Sequence, residues 1–385
     1  MVTRLHASAA PKRESVVVLG VLGASAVVAA LAATGARGTS TREARPAAAP
    51  GLAQANAVAA AAEKRPTSIG LTTRIGKPIP KGKKLVYIAC GPIKACTVHI
   101  DYIRAAAREL GWTARMVPTD GVPEHVRTAF DGALRSGADA IISTGITRRN
   151  LEKQILAAEA KGVLFATCCT LARVGNGIVY TTSTLQQNAR IGKYLAAKVV
   201  SDTNAKGGAV YVDLSSYEIL KGVGTDFERY YKKWCPSCTF GTIDVPLSGL
   251  GSTTVPDTIV SYLRGHPKVN YVVLSETSSL APGLTNALRL AGLNDDVRVV
   301  GQAPGTAEFR GIRTGTFAGG VPFDFATIDW LMVDAIARRF ARVPVEFTAP
   351  PLWLVTRENV PKTPGLFPIV ADYKAQFLKL WRKKT

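Results

Sequence analysis

Short uninterrupted apolar runs alternate with segments of helical period along most of this chain. The run LVYIA at 85–89 shows no polar alternation, which suits a strand buried on both faces of a parallel sheet. Cys90-Gly91-Pro92 breaks it, and Thr97 is placed to cap a helix. Ile103, Ala106, Ala107 and Leu110 follow at helical spacing before Gly111 ends that helix. The same alternation predicts strands at 112–117, 138–143, 163–167 and 178–181, with helices at 123–135 and 147–161. The pattern then restarts with a helix capped by Ser183 or Thr184 and reaching 200. Strands at 209–213, 240–245, 269–274, 297–301 and 316–319 alternate with helices at 217–234, 255–265, 282–291 and 306–314. A long helix at 324–341, a late strand at 352–355 and an amphipathic helix at 372–381 complete the series.

Crossovers of βαβ length imply two successive α/β halves with a cleft between them. In such sheets ligands sit at the carboxyl ends of the strands, beside helix N-termini. The loop at 90–99 is the first place where a site is expected. The domain organisation expected is a first lobe of 83–182 plus 324–350, a second of 183–323 plus 351–362, and a tail with a short helix at 363–385.

The N-terminus changes the picture of location. Arg4, Lys12 and Arg13 precede an uncharged apolar run at 16–33, so 1–33 reads as an export signal, cleaved or retained as an anchor. No cysteine precedes Cys90, which excludes a lipid-modified cysteine at the end of that signal. Residues 34–82, rich in Ala, Pro, Gly, Thr and Arg, read as a disordered tether. The net charge of +20 invites a nucleic-acid reading, but its location argues otherwise. Residues 1–84 hold 13 Lys/Arg against three Asp/Glu, and 373–385 hold five against none. Basic ends on a nearly balanced body, with no DNA- or RNA-binding motif, imply no nucleic-acid partner.

Six cysteines in an exported chain make disulfides possible. Cys235 and Cys238 form a CxxC that follows a helix rather than opening one, so a surface disulfide unrelated to ligand binding is expected, not a redox centre. A zinc ribbon would need a second such pair, and the chain has none.

Several local patterns in order then resemble one family. AARELGW at 106–112, GADAIIS at 137–143 and AAEAKG at 157–162 lie in the first half. GKYLA at 192–196, the segment 222–227, HPKV at 266–269, the segment 287–292 and VVG at 299–301 lie in the second. From about 83 to 360 the chain resembles the type I periplasmic binding proteins, the ribose-binding-like solute receptors of ABC importers. The resemblance implies an α/β fold of two Rossmann-like lobes with parallel sheets. Three chain crossings would join them, near 182–184, near Phe323 and near 349–351. It also implies a monomeric extracytoplasmic binding protein with no enzymatic activity and no cofactor, working with a membrane ABC permease. A surface sensor feeding a signalling partner is the alternative, and an enzyme built on the cysteines is a weaker one. Repressors of the same fold carry a DNA-binding helix pair at the N-terminus, where this chain has its apolar segment.

The matched positions depart from a sugar site. Sugar-binding members of the family use an Asp-Arg pair after the fourth strand, where this chain has Cys168 and Cys169. Ser275 and Glu276 replace an asparagine, Gln302 and Ala303 an aspartate, Phe323 a glutamine, and Lys221 an arginine. The first-loop aromatic pair is replaced by Ala95 and Cys96, followed by Thr97 and His99. The ligand-binding set implied is Cys96, Thr97, His99, Cys168, Cys169, Thr182, Thr184, Lys221, Leu250, Glu276, Ala303 and Phe323. With several polar forks missing, a ligand less polar than a free sugar is expected, oriented by Lys221 or Glu276. The contrary reading draws the forks from Thr170, Arg173, Thr182, Gln186 and Asp324. For Cys90, Cys96, Cys168 and Cys169 three readings stay open: a disulfide from Cys96 to Cys168 or Cys169, small buried thiols, or a thiolate metal site. A catalytic Cys96–His99 pair lacks an evident orienting acid.

Overall fold

The computed structural model describes residues 50–382. The expected export segment at 1–33 lies outside the described residues, and no described helix is long and apolar enough to cross a membrane.

The first sheet holds β1 (Lys84–Ile88), β2 (Thr113–Val117), β3 (Ala140–Thr144), β4 (Leu164–Cys168) and β5 (Ile178–Thr182), in the order β2-β1-β3-β4-β5. All four pairings are parallel. The second sheet holds β6 (Gly208–Leu214), β7 (Thr239–Val245), β8 (Tyr271–Leu274), β9 (Arg298–Gln302) and β10 (Gly319–Val321), in the order β7-β6-β8-β9-β10. Both sheets thus share one order and one direction, and each lobe ends its strands toward a common cleft.

The helices, in chain order, begin with α1 (Pro50–Ala62), α2 (Lys94–Thr97), α3 (His99–Glu109), α4 (Pro123–Arg135) and α5 (Arg148–Ala160). Then follow α6 (Leu185–Asp202), α7 (Glu218–Trp234), α8 (Thr254–Gly265), α9 (Thr277–Leu280), α10 (Leu284–Leu290), α11 (Thr306–Thr314), α12 (Phe325–Phe340) and α13 (Tyr373–Trp381).

Four details differ from the sequence reading. The helix expected at 282–291 is α10, which starts only after Gly283 at a φ of 79°, and an unexpected single turn, α9, precedes it. The last strand of the second sheet is displaced to Gly319–Val321, because Phe317 turns into the core instead of joining the ladder. The stretch at 352–355 is not a strand. Only Val355 pairs, in an antiparallel bridge with Gly320, while the Leu354 N–H donates to the Ala62 carbonyl. Thr97 caps nothing: its hydroxyl turns back to the Lys94 carbonyl at 3.3 Å inside α2.

The largest correction concerns the tether. Residues 50–82 are ordered. Ala55, Ala59 and Ala62 of α1 pack into the second-lobe cluster with Leu195, Phe227 and Tyr231. Ile69, Leu71 and Ile75 are buried in the first-lobe core with α3 and α12. The C-terminal stretch behaves likewise: Phe367 and Ile369 belong to the second lobe, and Val370, Tyr373, Phe377 and Trp381 to the first. Five segments therefore pass between the lobes, where the resemblance implies three. The two additional passes run side by side. Arg65 donates to the carbonyls of Ile369 and Pro368, each at 2.9 Å. Gln376 donates to the Thr67 carbonyl at 2.8 Å and accepts from the Ile69 N–H at 3.1 Å.

The CxxC is also covered. Cys235 and Cys238 are bonded to each other, but they are buried in the same cluster as Ala55 and Ala59 of α1, not on the surface. The expected tether is what covers them.

Helix α12 is buried at every position from Phe325 to Arg338, which is why it shows no polar stripe. Asp324 caps it, with Oδ1 accepting from the Thr327 N–H at 3.2 Å, while Oδ2 has no partner. Burial pushes this carboxyl up to about 6 from an ordinary 3.8. Between those two values the folded state binds more protons than the unfolded one. This group's contribution is therefore fully present below about 4 and is lost as pH rises toward 6. Asp324→Asn keeps the capping oxygen and removes the charge. We expect the variant to gain, relative to the parent, on the order of 2 kcal/mol between pH 4 and pH 7, read by denaturant unfolding at both values. A pH-independent difference would contradict the assignment.

Candidate functional site

The first lobe brings its site residues on the loop after β1. Cys90 at the strand end and Cys96 in α2 are bonded, with Cα atoms 5.2 Å apart, so the loop closes on itself. Tyr87 of β1, buried beneath, donates its hydroxyl to the Cys96 carbonyl and shares a hydrogen bond with the Thr144 hydroxyl at 2.8 Å. His99 opens α3. Its Nδ1 lies 2.7 Å from Oδ1 of Asp329 on α12, and both groups are buried. The ring stands edge-on to Phe325 at 5.0 Å and to Phe323 at 6.0 Å. Burial pushes Asp329 up to about 6, against the opposing pull of His99.

Three strand ends turn through left-handed residues that are not glycine: Cys169 after β4, Ser183 after β5 and Ala303 after β9, at φ of 63°, 51° and 51°. Such turns are costly for a side-chain-bearing residue and gather at functional edges. Cys169 is bonded to its neighbour Cys168.

The second lobe contributes Glu276 at the end of β8 and Tyr217 before α7. Glu276 accepts from the Ser278 hydroxyl at 2.6 Å and the Ser279 N–H at 2.8 Å. Its carboxyl is held above the ordinary range, first by burial and then by nearby Glu308. Tyr217 reaches across the cleft, its hydroxyl 3.6 Å from the Cys96 sulfur, and burial followed by the Glu276 charge pushes it up to about 12. With the lobes as they stand the cleft has about 80 Å³ of free space, so a ring-bearing solute enters only when the lobes part.

Of the residues implied by resemblance, Cys96, His99, Cys169, Glu276, Ala303 and Phe323 line this cleft. The others do not. Cys168 is fully buried behind Cys169, and Thr182 is buried at the end of β5. The Thr184 N–H is held by the Gln187 side chain at the start of α6. Thr97 stays within α2, and Leu250 packs on the second-lobe core. Lys221 sits on another side of α7 from the cleft-lining Leu220 and offsets the paired carboxylates Asp213 and Asp244. Asp213 is pushed up to about 6 by burial and then by Asp244.

The expected bond from Cys96 to Cys168 or Cys169 is absent, because the short α2 turn brings Cys96 back to Cys90. A catalytic Cys96–His99 pair is ruled out by the same bond. The orienting acid that the sequence does not reveal is Asp329, 230 positions from His99. Gln302, matched beside Ala303, lines the cleft too, and Thr144, Asn188, Tyr217 and Phe325 do so without having been expected there. Their place at strand and helix ends is the signal that could have found them.

A model of the periplasmic binding protein domain matches residues 98–340. The chain belongs to that family. Its members bind solutes and are not enzymes. Solved structures agree on the fold. A glucose-galactose binding protein from Geobacillus stearothermophilus matches with a TM-score of 0.63 at 17% identity, over 73% of this chain and 100% of its own. The 5-methylthioribose transporter solute binding protein from Thermotoga lettingae matches with 0.64 at 18%, over 74% and 89%. A periplasmic ribose ABC transporter protein from Conexibacter woesei matches with 0.63 at 16%, over 74% and 95%. Comparison with curated protein sequences finds no significant match. Neither α1 nor α13 falls within the segment that the family model covers.

Proposed function

We propose that the chain is the extracytoplasmic substrate-binding protein of an ABC importer. It closes its lobes as a monomer, without a cofactor, over a small organic solute less polar than a free sugar, and delivers it to a membrane permease. The observation that carries this reading is the cleft wall. Ile93, Ala95, Leu220, Ala303, Phe323 and Phe325 present apolar surface at the strand ends, where a polyhydroxylated ligand would need bidentate polar groups. Each hydroxyl left unmet on closure costs roughly 1–3 kcal/mol, whereas apolar ligand surface gains about 25 cal/mol per Å² buried. The structural neighbours include proteins named for glucose-galactose, ribose and 5-methylthioribose, and the fold accommodates all three.

Thermal-shift screening of a mixed library, followed by calorimetry on the hits, tests the reading. Pentoses and hexoses are expected to bind weakly or not at all, and a ring-bearing or aliphatic solute with a polar group in the micromolar range. Phe323→Ala is expected to weaken that solute by roughly 1–3 kcal/mol. Hits confined to underivatised sugars, with Phe323→Ala neutral, would return the chain to the ordinary sugar receptors.

A further inference from the structure

The polar groups of the cleft are unequal in kind. Its acceptors are open. Gln302 is buried, lines the cleft, and its Oε1 has no partner. Glu276 is buried there too, its two oxygens each holding one hydrogen bond and retaining further lone pairs. His99 is held at Nδ1 by Asp329, and its Nε2 makes no hydrogen bond among the described residues.

Of the donors, the Gln302 amide nitrogen is as free as its oxygen, while the hydroxyls and the Asn188 amide have partners. The Thr144 hydroxyl is shared with Tyr87, the Asn188 amide is exchanged with Ser183, and the Tyr217 hydroxyl faces the Cys96 sulfur. Among the described residues no Lys or Arg lines the cleft. An ammonium group brings three donors and no acceptor. It also gains from aromatic faces, and Phe323, Phe325 and Tyr217 surround the same space.

We infer that the solute is a small primary amine, its ammonium group held against Glu276 and its apolar body lying on the Phe323 side of the cleft. This rests on the receptor reading and narrows it. A cation at this place also offsets the burial that disfavours the Glu276 charge.

The test uses matched triads on one skeleton: tyramine, tyrosol and 4-hydroxyphenylacetate, then cyclohexylmethylamine, cyclohexylmethanol and cyclohexanecarboxylate, with ribose and glucose alongside. Calorimetry on the full chain should show the amine of at least one triad binding about tenfold or more tightly than its alcohol, and the carboxylates not binding. Glu276→Gln should remove the amine's advantage while circular dichroism shows the fold retained. If that variant does not fold, Gln302→Leu decides, with an expected loss of amine affinity. An alcohol or carboxylate that binds as well as its amine overturns the inference and leaves the receptor standing. So does binding of the sugars alone. Failure of every compound, sugars included, sinks both readings, and an amine preference untouched in the folded variant removes Glu276 from the account.

Discussion

A chain shortened to residues 84–372 is expected to melt far below the full chain or not to fold at all. The charge distribution makes both ends look like expendable basic tails, but the packing says otherwise. The cut removes Tyr373, Phe377, Leu380 and Trp381, all buried in the first lobe, together with Ile69, Leu71 and Ile75 from the same core. It also strips α1 from α6 and α7. Burying one such large side chain contributes roughly 1.5–3 kcal/mol, so the set equals or exceeds the roughly 5–15 kcal/mol by which a whole domain is stable. Thermal unfolding followed by circular dichroism checks this. An unchanged melting temperature would mean that these segments rest on the lobes without stabilising them.

Arg338→Met should cost roughly 3–5 kcal/mol in denaturant unfolding. Arg338 is almost wholly buried on α12, where it donates from Nε to Asp334 Oδ2 at 2.6 Å and from Nη2 to the Thr73 carbonyl at 2.6 Å. Asp334 in turn accepts from the Trp381 indole at 2.7 Å, and that ring stacks on Trp330 with centroids 5.1 Å apart. Arg338 also lies 3.7 Å from Glu346, and this network ties α12 to the segment before β1 and to the last helix. Removing the arginine alone strands a carboxylate in the core. Asp334→Asn combined with Arg338→Met should recover much of the loss, because the amide leaves no unpaired charge. If the double variant is no more stable than Arg338→Met, the loss comes from the Thr73 and Glu346 contacts instead.

The two sheets are legible in the sequence because strands covered on both faces read as unbroken apolar runs, as 85–89 and 271–274 do. The order of the helices follows from their caps and glycines. Helix α1 is harder to read because it has small residues where a packing stripe usually has large ones. Ala55, Ala59 and Ala62 do fall at helical spacing, but an alanine face in an alanine-rich segment carries little contrast. Within the site, Glu276 and Phe323 could be placed because they sit at strand ends that the pattern defines. Lys221 could not, because one residue's rotation along a helix turns a side chain by about 100°. The His99–Asp329 pair was out of reach for another reason: it forms only when the chain returns to its first lobe.

The five passes between the lobes also govern the order in which the molecule can be completed. Neither lobe is built from consecutive residues. The second needs Trp353, Phe367 and Ile369, and the first needs Phe377 and Trp381. During synthesis from the N-terminus, β1 to β5 emerge long before the helix that closes their core. Both cores therefore wait for nearly the last residue. The emerging chain cannot bank one finished lobe while the other is still being made, and the two halves reach the native state together.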